Sequence, residues 1–273
     1  MPWTTADAAT KCALVTGASS GLGLAIARQL TAAGTKVALV ARDAAKLQLA
    51  IDSLQVPADR TLAIAADITQ QTDVDRMRIT VEETWGKLDL LVNCAGKSSR
   101  GKIEDTTPEQ FQELWELNFL AAVRCTRALL PLLLTTHGHV VQIGSLASKS
   151  TSKFLGAYPA GKFALAAYSQ QLRLELGERG LHVLLVCPGP IARDDAGSRY
   201  DAEASNLPAE ARQPGGGVKL KGIKPDDLAR RILRACECRQ LELIVPAKAR
   251  LLFTLSALWP SLGDWLTKRM TGG

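Results

Sequence analysis

The sequence predicts an α/β protein built on one doubly wound, parallel β-sheet with helices on both faces. Three observations carry this. Short β-branched runs alternate with longer amphipathic segments along most of the chain. The runs VALVA, LLVNCA, VVQIG and VLLVC are apolar at nearly every position, as strands are when helices cover both faces. Repetition of strand and helix in one order implies right-handed crossovers, which lay the strands parallel.

The elements follow in order. Cys12–Thr16 (CALVT) is a short apolar run and reads as the first strand. A helix follows over Gly23–Ala33, with Gly34 just past its end as a stop. Lys36–Ala41 is the second strand, and Asp43 is placed to cap a second helix over Ala44–Leu54. Thr61–Ala65 and Thr72–Trp85 supply a third strand and a third helix. Leu88–Asn93 is the fourth strand. A long helix over Pro108–Leu133 opens with Thr107-Pro108, an N-cap followed by proline at the first helical position, where the missing N–H is not needed. Gly138–Ile143 is the fifth strand, Ala157–Glu178 another long helix, His182–Cys187 the sixth strand and Glu242–Val245 the seventh.

No linker interrupts this pattern before about Pro188, so residues 1–273 are expected to form a single domain. The stretch 193–224 breaks the alternation. It is polar and carries Pro208, Pro214 and the triplet Gly215-Gly216-Gly217, with Pro225 just after it. Loops of this length usually act as lids, so it is expected to cover the substrate. Residues 248–273 form an apolar C-terminal extension.

Composition narrows the function classes. Hydrophobic residues make up 47% of the chain and charged residues 22%, enough to bury a sizeable core. The net charge of +6 is spread along the chain with no run of five like charges. That describes a solvated surface with a modest bias toward anionic ligands, such as phosphorylated cofactors or acidic lipids. No nucleic-acid-binding motif is present, so no nucleic-acid partner is expected. None of the six cysteines forms a CxxC, and the spacing of Cys236 and Cys238 does not suit zinc. A reduced, cytoplasmic protein is expected. His137 and His139 flank Gly138 with no third ligand nearby, so no metal site is expected there, and His182 at a strand start reads as structural. Met1–Thr10 lacks the pattern of a secretory signal, and no stretch of eighteen apolar residues marks a spanning helix.

The segment Thr16-Gly17-Ala18-Ser19-Ser20-Gly21-Leu22-Gly23 joins the first strand to the first helix. A tight glycine turn in this place lets the backbone approach a pyrophosphate, which the free N–H groups and positive end of the helix then hold. Gly17, Ser19, Ser20, Gly21, Leu22 and Gly23 are therefore candidate cofactor contacts. The second strand ends at Ala41-Arg42. A carboxylate at that tip would bond the ribose of NAD, which Ala41 cannot do. Arg42 can pair with a 2′-phosphate and stack on adenine, which favours NADP. Two alternatives stay open: Asp43 turns back to the ribose, or Arg42 is a solvated charge.

Tyr158 and Lys162 lie one helical turn apart on one face. A lysine so placed can stabilise a phenolate and make tyrosine useful as an acid or base. That spacing alone is common by chance. In company it is not: TGxxxGxG at Thr16–Gly23, Asn93-Cys94-Ala95-Gly96, Asn118, Ser145, Tyr158/Lys162 and Pro188-Gly189 occur in the order and spacing of one family. Over about Lys11–Pro190 the chain resembles the short-chain dehydrogenase/reductase family, with its Rossmann-type fold.

The resemblance implies roles. Tyr158 would exchange a proton with the substrate oxygen, Ser145 would hydrogen-bond that oxygen, and Lys162 would lower the tyrosine pKa and bind the nicotinamide ribose. Asn118 would anchor a water for proton relay. Asp67, beside Ile68, would contact the adenine amino group, unless it serves as a helix cap. Asn93, Ala95 and Gly96 would border the cofactor, and Pro188, Gly189 and Ile191 would line the nicotinamide. Dimers or tetramers would form through Phe111–Leu134 and Phe154–Leu176. Three positions depart from the family pattern. Cys94 replaces the second asparagine, Pro159-Ala160-Gly161 stands where Ser-x-Ser is usual, and Arg193 occupies a position where threonine is common.

The C-terminal stretch Arg250–Met270 combines Trp259 and Trp265 with flanking Lys248, Arg250, Lys268 and Arg269. It can pack on the core, on a partner subunit, or on a membrane surface, where aromatic and basic residues together are favoured. The expectation is an NADP(H)-dependent oxidoreductase interconverting a carbonyl and a secondary alcohol, on a lipophilic small-molecule substrate. The alternatives are a cofactor-binding regulator that has lost catalysis, and an isomerase or epimerase on the same fold.

Overall fold

The computed structural model describes residue 3, residues 6–193, residues 200, 204, 207–212 and 220–270. Seven strands form one sheet: β1 (Cys12–Thr16), β2 (Lys36–Ala41), β3 (Thr61–Ala65), β4 (Leu90–Asn93), β5 (His139–Ile143), β6 (His182–Pro188) and β7 (Glu242–Val245). Their order is β3-β2-β1-β4-β5-β6-β7, and every neighbouring pair is parallel. The order reverses between β1 and β4. Loops leave the strand ends there in opposite directions and open a crevice, the place where open α/β sheets bind ligands.

The helices are α1 (Gly21–Ala32), α2 (Ala44–Asp52), α3 (Gln71–Trp85), α4 (Pro108–Trp115), α5 (Ala121–Thr135), α6 (Tyr158–Leu176), α7 (Pro225–Glu237), α8 (Ala249–Leu258) and α9 (Pro260–Met270). Two apolar layers result. Leu22, Ile26 and Leu30 of α1 pack with Leu47 of α2 and with Leu228, Ile232 and Leu233 of α7 on one face of the sheet. Met77 of α3, Leu129 of α5 and Leu172 of α6 fill the other. The expected α/β fold with a doubly wound parallel sheet is the fold observed.

Some boundaries differ from expectation for physical reasons. The long helix after Thr107 runs through Pro108–Thr135 as expected, with one π turn at Glu116–Leu120 joining α4 to α5. Thr107 caps α4 in a capping box with Gln110, as its sequence implies. Pro108–Thr135 is long and apolar enough to cross a membrane by length and composition. Its buried residues instead face the sheet: Cys125, Leu129 and Leu133 are fully covered. Leu88 and Asp89 precede β4 rather than belonging to it, and the Asp89 backbone links Cys12 to His139.

Helix α7 has no counterpart among the expected elements. Its signals are legible in retrospect: Pro225 in the first turn, Asp226 and Asp227 beside it, and apolar residues at 228, 229, 232, 233 and 236. The C-terminal extension forms a hairpin of two helices, α8 and α9.

Candidate active site

The site grows from the trailing ends of the strands. The Thr16 hydroxyl, at the end of β1, accepts from the backbone N–H groups of Cys94 (3.0 Å) and Ala95 (3.2 Å). This ties the glycine-rich turn to the turn after β4, across the switch point. Gly17 has φ +66°, and a Cβ there would sit 2.9 Å from Cα of Ala95, so only glycine fits. A Cβ on Gly23 would meet the Gly17 carbonyl oxygen at 2.3 Å, so the turn can press against the start of α1 only without one. The amides at the start of α1 are thereby aimed into the crevice. Such a cradle suits the diphosphate of a nicotinamide dinucleotide.

The β2 end defines the adenosine side. Asp43 accepts from the Lys46 backbone N–H at 3.0 Å and caps α2. Its carboxyl is held below its usual range by that bond. Arg42 and Lys46 border the same cleft and are exposed. Asp67, after β3, is not a helix cap: its Oδ1 accepts from the N–H (3.0 Å) and hydroxyl (2.8 Å) of Thr69. Burial pushes its pKa up, but these bonds and the charge of Arg42 leave the net shift downward. It is thus an ionised acceptor beside a cation.

The β5 end holds the polar cluster. Ser145 begins a short 3-10 turn over Leu146–Ser148. Its Oγ accepts from the Ala147 N–H at 3.1 Å, which leaves its own proton to donate. Tyr158 and Lys162 open α6. Lys162 is buried, and its Nζ donates to the Ile143 carbonyl at 2.7 Å. Burial brings its pKa down to about 8. The Tyr158 phenol is pushed up to about 12 by burial, while the Ser145 hydroxyl and the Arg100 guanidinium pull it down and Tyr200 raises it. The Lys162 ammonium lies 5.8 Å from the tyrosine ring centroid and is bonded to the β5 carbonyl instead of the phenol. The π turn carries Asn118, whose Oδ1 accepts from the Lys97 N–H (2.9 Å) and whose Nδ2 donates to the Lys97 carbonyl (2.8 Å).

One cleft of about 1390 Å³ joins these parts. Ser145, Tyr158, Lys162 and Asn118 line it together with Gly17, Ser19, Ser20, Leu22 and Gly23. So do Ala41, Arg42, Asp67, Ile68, Ala95, Gly96, Pro188, Gly189 and Ile191. Two of the expected cofactor residues stand apart. Asn93 points into the core, where its Nδ2 donates to the Thr126 hydroxyl at 3.0 Å. Gly21 has φ +55°, a conformation that favours glycine in this turn.

Several lining residues have no motif to announce them. Arg100 is buried, donates from Nε to the Ala211 carbonyl at 2.7 Å and lies 3.8 Å from the Tyr200 ring centroid. The Tyr200 hydroxyl pairs with that of Ser98 at 2.5 Å. These contacts seat the described parts of the 193–224 loop against the turn after β4, and the rest of the loop lies outside the described residues. Leu252, Phe253, Leu255 and Leu266 of the α8–α9 hairpin complete an apolar wall. Among the described residues no group of three or more potential ligands could hold a metal ion.

Comparison with known proteins agrees with this geometry. Residues 11–204 match the family model described as short chain dehydrogenase. An uncharacterized oxidoreductase of Staphylococcus epidermidis is 34% identical over 203 residues, covering 72% of this chain and 87% of its own. A short-chain dehydrogenase of Streptomyces avermitilis is 32% identical with a TM-score of 0.77, covering 93% and 95% of the two chains. An alcohol dehydrogenase of the archaeon Thermococcus sibiricus, solved with 5-hydroxy-NADP, is 26% identical with a TM-score of 0.72, covering 86% and 95%.

Proposed function

The chain belongs to the short-chain dehydrogenase family, an oxidoreductase on a nicotinamide-cofactor fold, and from that premise we propose that it is NADP(H)-dependent and interconverts a carbonyl and a secondary alcohol. The observation that carries this reading is convergence. Ser145, Tyr158 and Lys162 share one cleft with Arg42 at the β2 tip. Asp43, the carboxylate next to that tip, caps α2 through Oδ1. The solved relative with 5-hydroxy-NADP supports the same cofactor.

When bound, the nicotinamide supplies or takes the hydride. The rest is done by side chains. Tyr158 Oη gives a proton to the carbonyl oxygen in reduction and takes one in oxidation. Ser145 donates to the same oxygen and fixes its position. Lys162 binds the nicotinamide ribose, and Asn118 holds the turn that a relay water would use. A buried phenol stays protonated at neutral pH, so reduction is the direction it serves without help from alkali.

The substrate is read as lipophilic, because leucine and phenylalanine from α8 and α9 wall the cleft. The outer face of the same hairpin exposes Leu258, Trp259 and Trp265, and the hairpin also carries Lys248, Arg250, Lys268 and Arg269. That combination supports contact with an acidic membrane surface. Trp115 and Phe163, exposed on α4 and α6, support a homodimer or homotetramer through these helices. All six cysteines are unpaired, which supports a cytoplasmic setting. Tyr200 and Ala211, described parts of the 193–224 stretch, sit against Arg100 and support reading that stretch as the substrate loop of a single domain.

The first test is oxidation of NADPH and NADH against a panel of ketones and aldehydes of increasing chain length. Turnover with NADPH at least about tenfold better than with NADH, rising with chain length, is expected. Tight NADPH binding with no turnover on any carbonyl would favour a cofactor-binding regulator. Cosedimentation with phosphatidylglycerol vesicles, lost in Trp259→Ser/Trp265→Ser, checks the membrane contact.

A further inference from the structure

We propose that Arg193 clamps the diphosphate of the bound dinucleotide, from the far side of the cleft. Its placement is fixed by the backbone before it. The Ala192 N–H donates to the Ile223 carbonyl and the Ile223 N–H to the Pro190 carbonyl, each at 2.8 Å. Ile191 and Ile223 form a parallel bridge. Arg193 therefore leaves a pinned segment, not a free loop.

The side chain reaches across the crevice. A Cβ built on Gly21 would lie 3.6 Å from Nη1 of Arg193. Gly21 is the first residue of α1, so the guanidinium stands over the same space that the α1 amides face. The charge of Arg193 is also felt at Cys94, after β4, where it opposes the rise that burial imposes on the thiol. The cation thus lies between the ends of β1 and β4, where the strand order reverses.

The chemistry of that space selects the ligand. Backbone amides at a helix start favour an anion, and a planar guanidinium can donate two parallel bonds to phosphate oxygens. Arg42 and Lys46 stand at the adenosine end, beside Asp67. The cations of the cleft therefore divide the work: Arg42 and Lys46 face the 2′-phosphate and Arg193 the bridging phosphates. This rests on reading the cleft as a dinucleotide site, but not on a choice between NAD and NADP, since both carry the diphosphate.

The test compares the native protein with Arg193→Ala and Arg193→Lys. Dissociation constants are measured by nicotinamide fluorescence for NADPH and NADH, with adenosine 2′-monophosphate as a ligand that lacks the diphosphate. Arg193→Ala should weaken NADPH and NADH by a similar factor, roughly ten- to a hundredfold. Arg193→Lys should recover part of that, and adenosine 2′-monophosphate should change by less than about twofold. Unchanged affinity for both cofactors overturns the clamp. So does a loss confined to NADPH, which would move Arg193 to the 2′-phosphate. Failure of the native protein to bind either cofactor would overturn the dinucleotide reading itself, and the clamp with it.

Discussion

Strands β5 and β6 bury titratable groups at both of their ends, and the two ends treat them differently. At the leading end, Nδ1 of His139 faces Nδ1 of His182 at 2.8 Å, and Nε2 of His182 faces the Gln240 carbonyl at 2.9 Å. A carbonyl only accepts, so Nε2 of His182 carries its proton and Nδ1 of His182 must accept from His139. Trp3 closes the cluster edge-on to His139, with ring centroids 5.7 Å apart. At the trailing end, Lys162 finds the Ile143 carbonyl, and the hydroxyls of Ser145 and Tyr158, bonded to each other, line a large cavity. The histidines are buried and bonded within the protein, whereas Ser145 and Tyr158 are half-buried at the cleft. Where the protein satisfies its own buried groups, the result is structure. Where it leaves hydroxyls on the wall of a cavity, the result is capacity for chemistry.

The sharpest way to break this comparison is to remove the trailing-end phenol. Tyr158→Phe should lower kcat by roughly 10²- to 10⁴-fold. NADPH affinity and melting temperature should stay near native values, as calorimetry and fluorescence titration would show. Equal losses of stability and activity would mean that this end is structural too.

The leading end should answer to acid instead. Burial, helped by the nearby His182 charge, brings the His139 pKa down from 6.5 to about 3. The unfolded chain therefore takes up protons in that window while the folded one refuses them. Stability from this group is present above about pH 6.5 and is lost as pH falls toward 3, on the order of a few kcal/mol. Melting temperature against pH should fall across that range, and His139→Gln, whose amide can still donate to His182, should flatten the slope. A native curve that stays level from pH 6.5 to 4 would sink the idea.

The smallest effect sharpens the cofactor side. Asp43→Ala removes the cap of α2 and should lower the melting temperature by about 1–3 °C. The ratio of NADPH to NADH affinity should not move. A shift in that ratio would show the carboxylate reaching the ribose after all.

The trailing end was far more legible in the sequence than the leading one. The glycine turn is legible from its place between a strand and a helix, while Ser145 and the Tyr158/Lys162 pair are legible through the family resemblance that their order and spacing carry. The histidine pair is not. His139 and His182 are forty-three residues apart and meet only because β5 and β6 pair in that register. Arg100 and Tyr200 are hidden for the same reason. Asn93 was legible as a strand end but not as to its side, since alternation along β4 turns it toward Thr126 and away from the cleft. Helix α7 was lost against the polar loop before it, although its apolar residues recur at helical spacing.

The α8 helix has one more consequence. Leu251, Leu252, Phe253 and Leu255 line the cleft, while Leu258, one turn on, is exposed on the outside. Interior wall and exterior surface are thus written on one short helix. Each residue turns the helix by about 100°. One residue inserted before Leu251 would hand the cavity a new lining and the outside a new coat in a single step. What the molecule accepts and where it settles would then change together, so a lineage of such proteins could diverge in habitat and diet through one small slip.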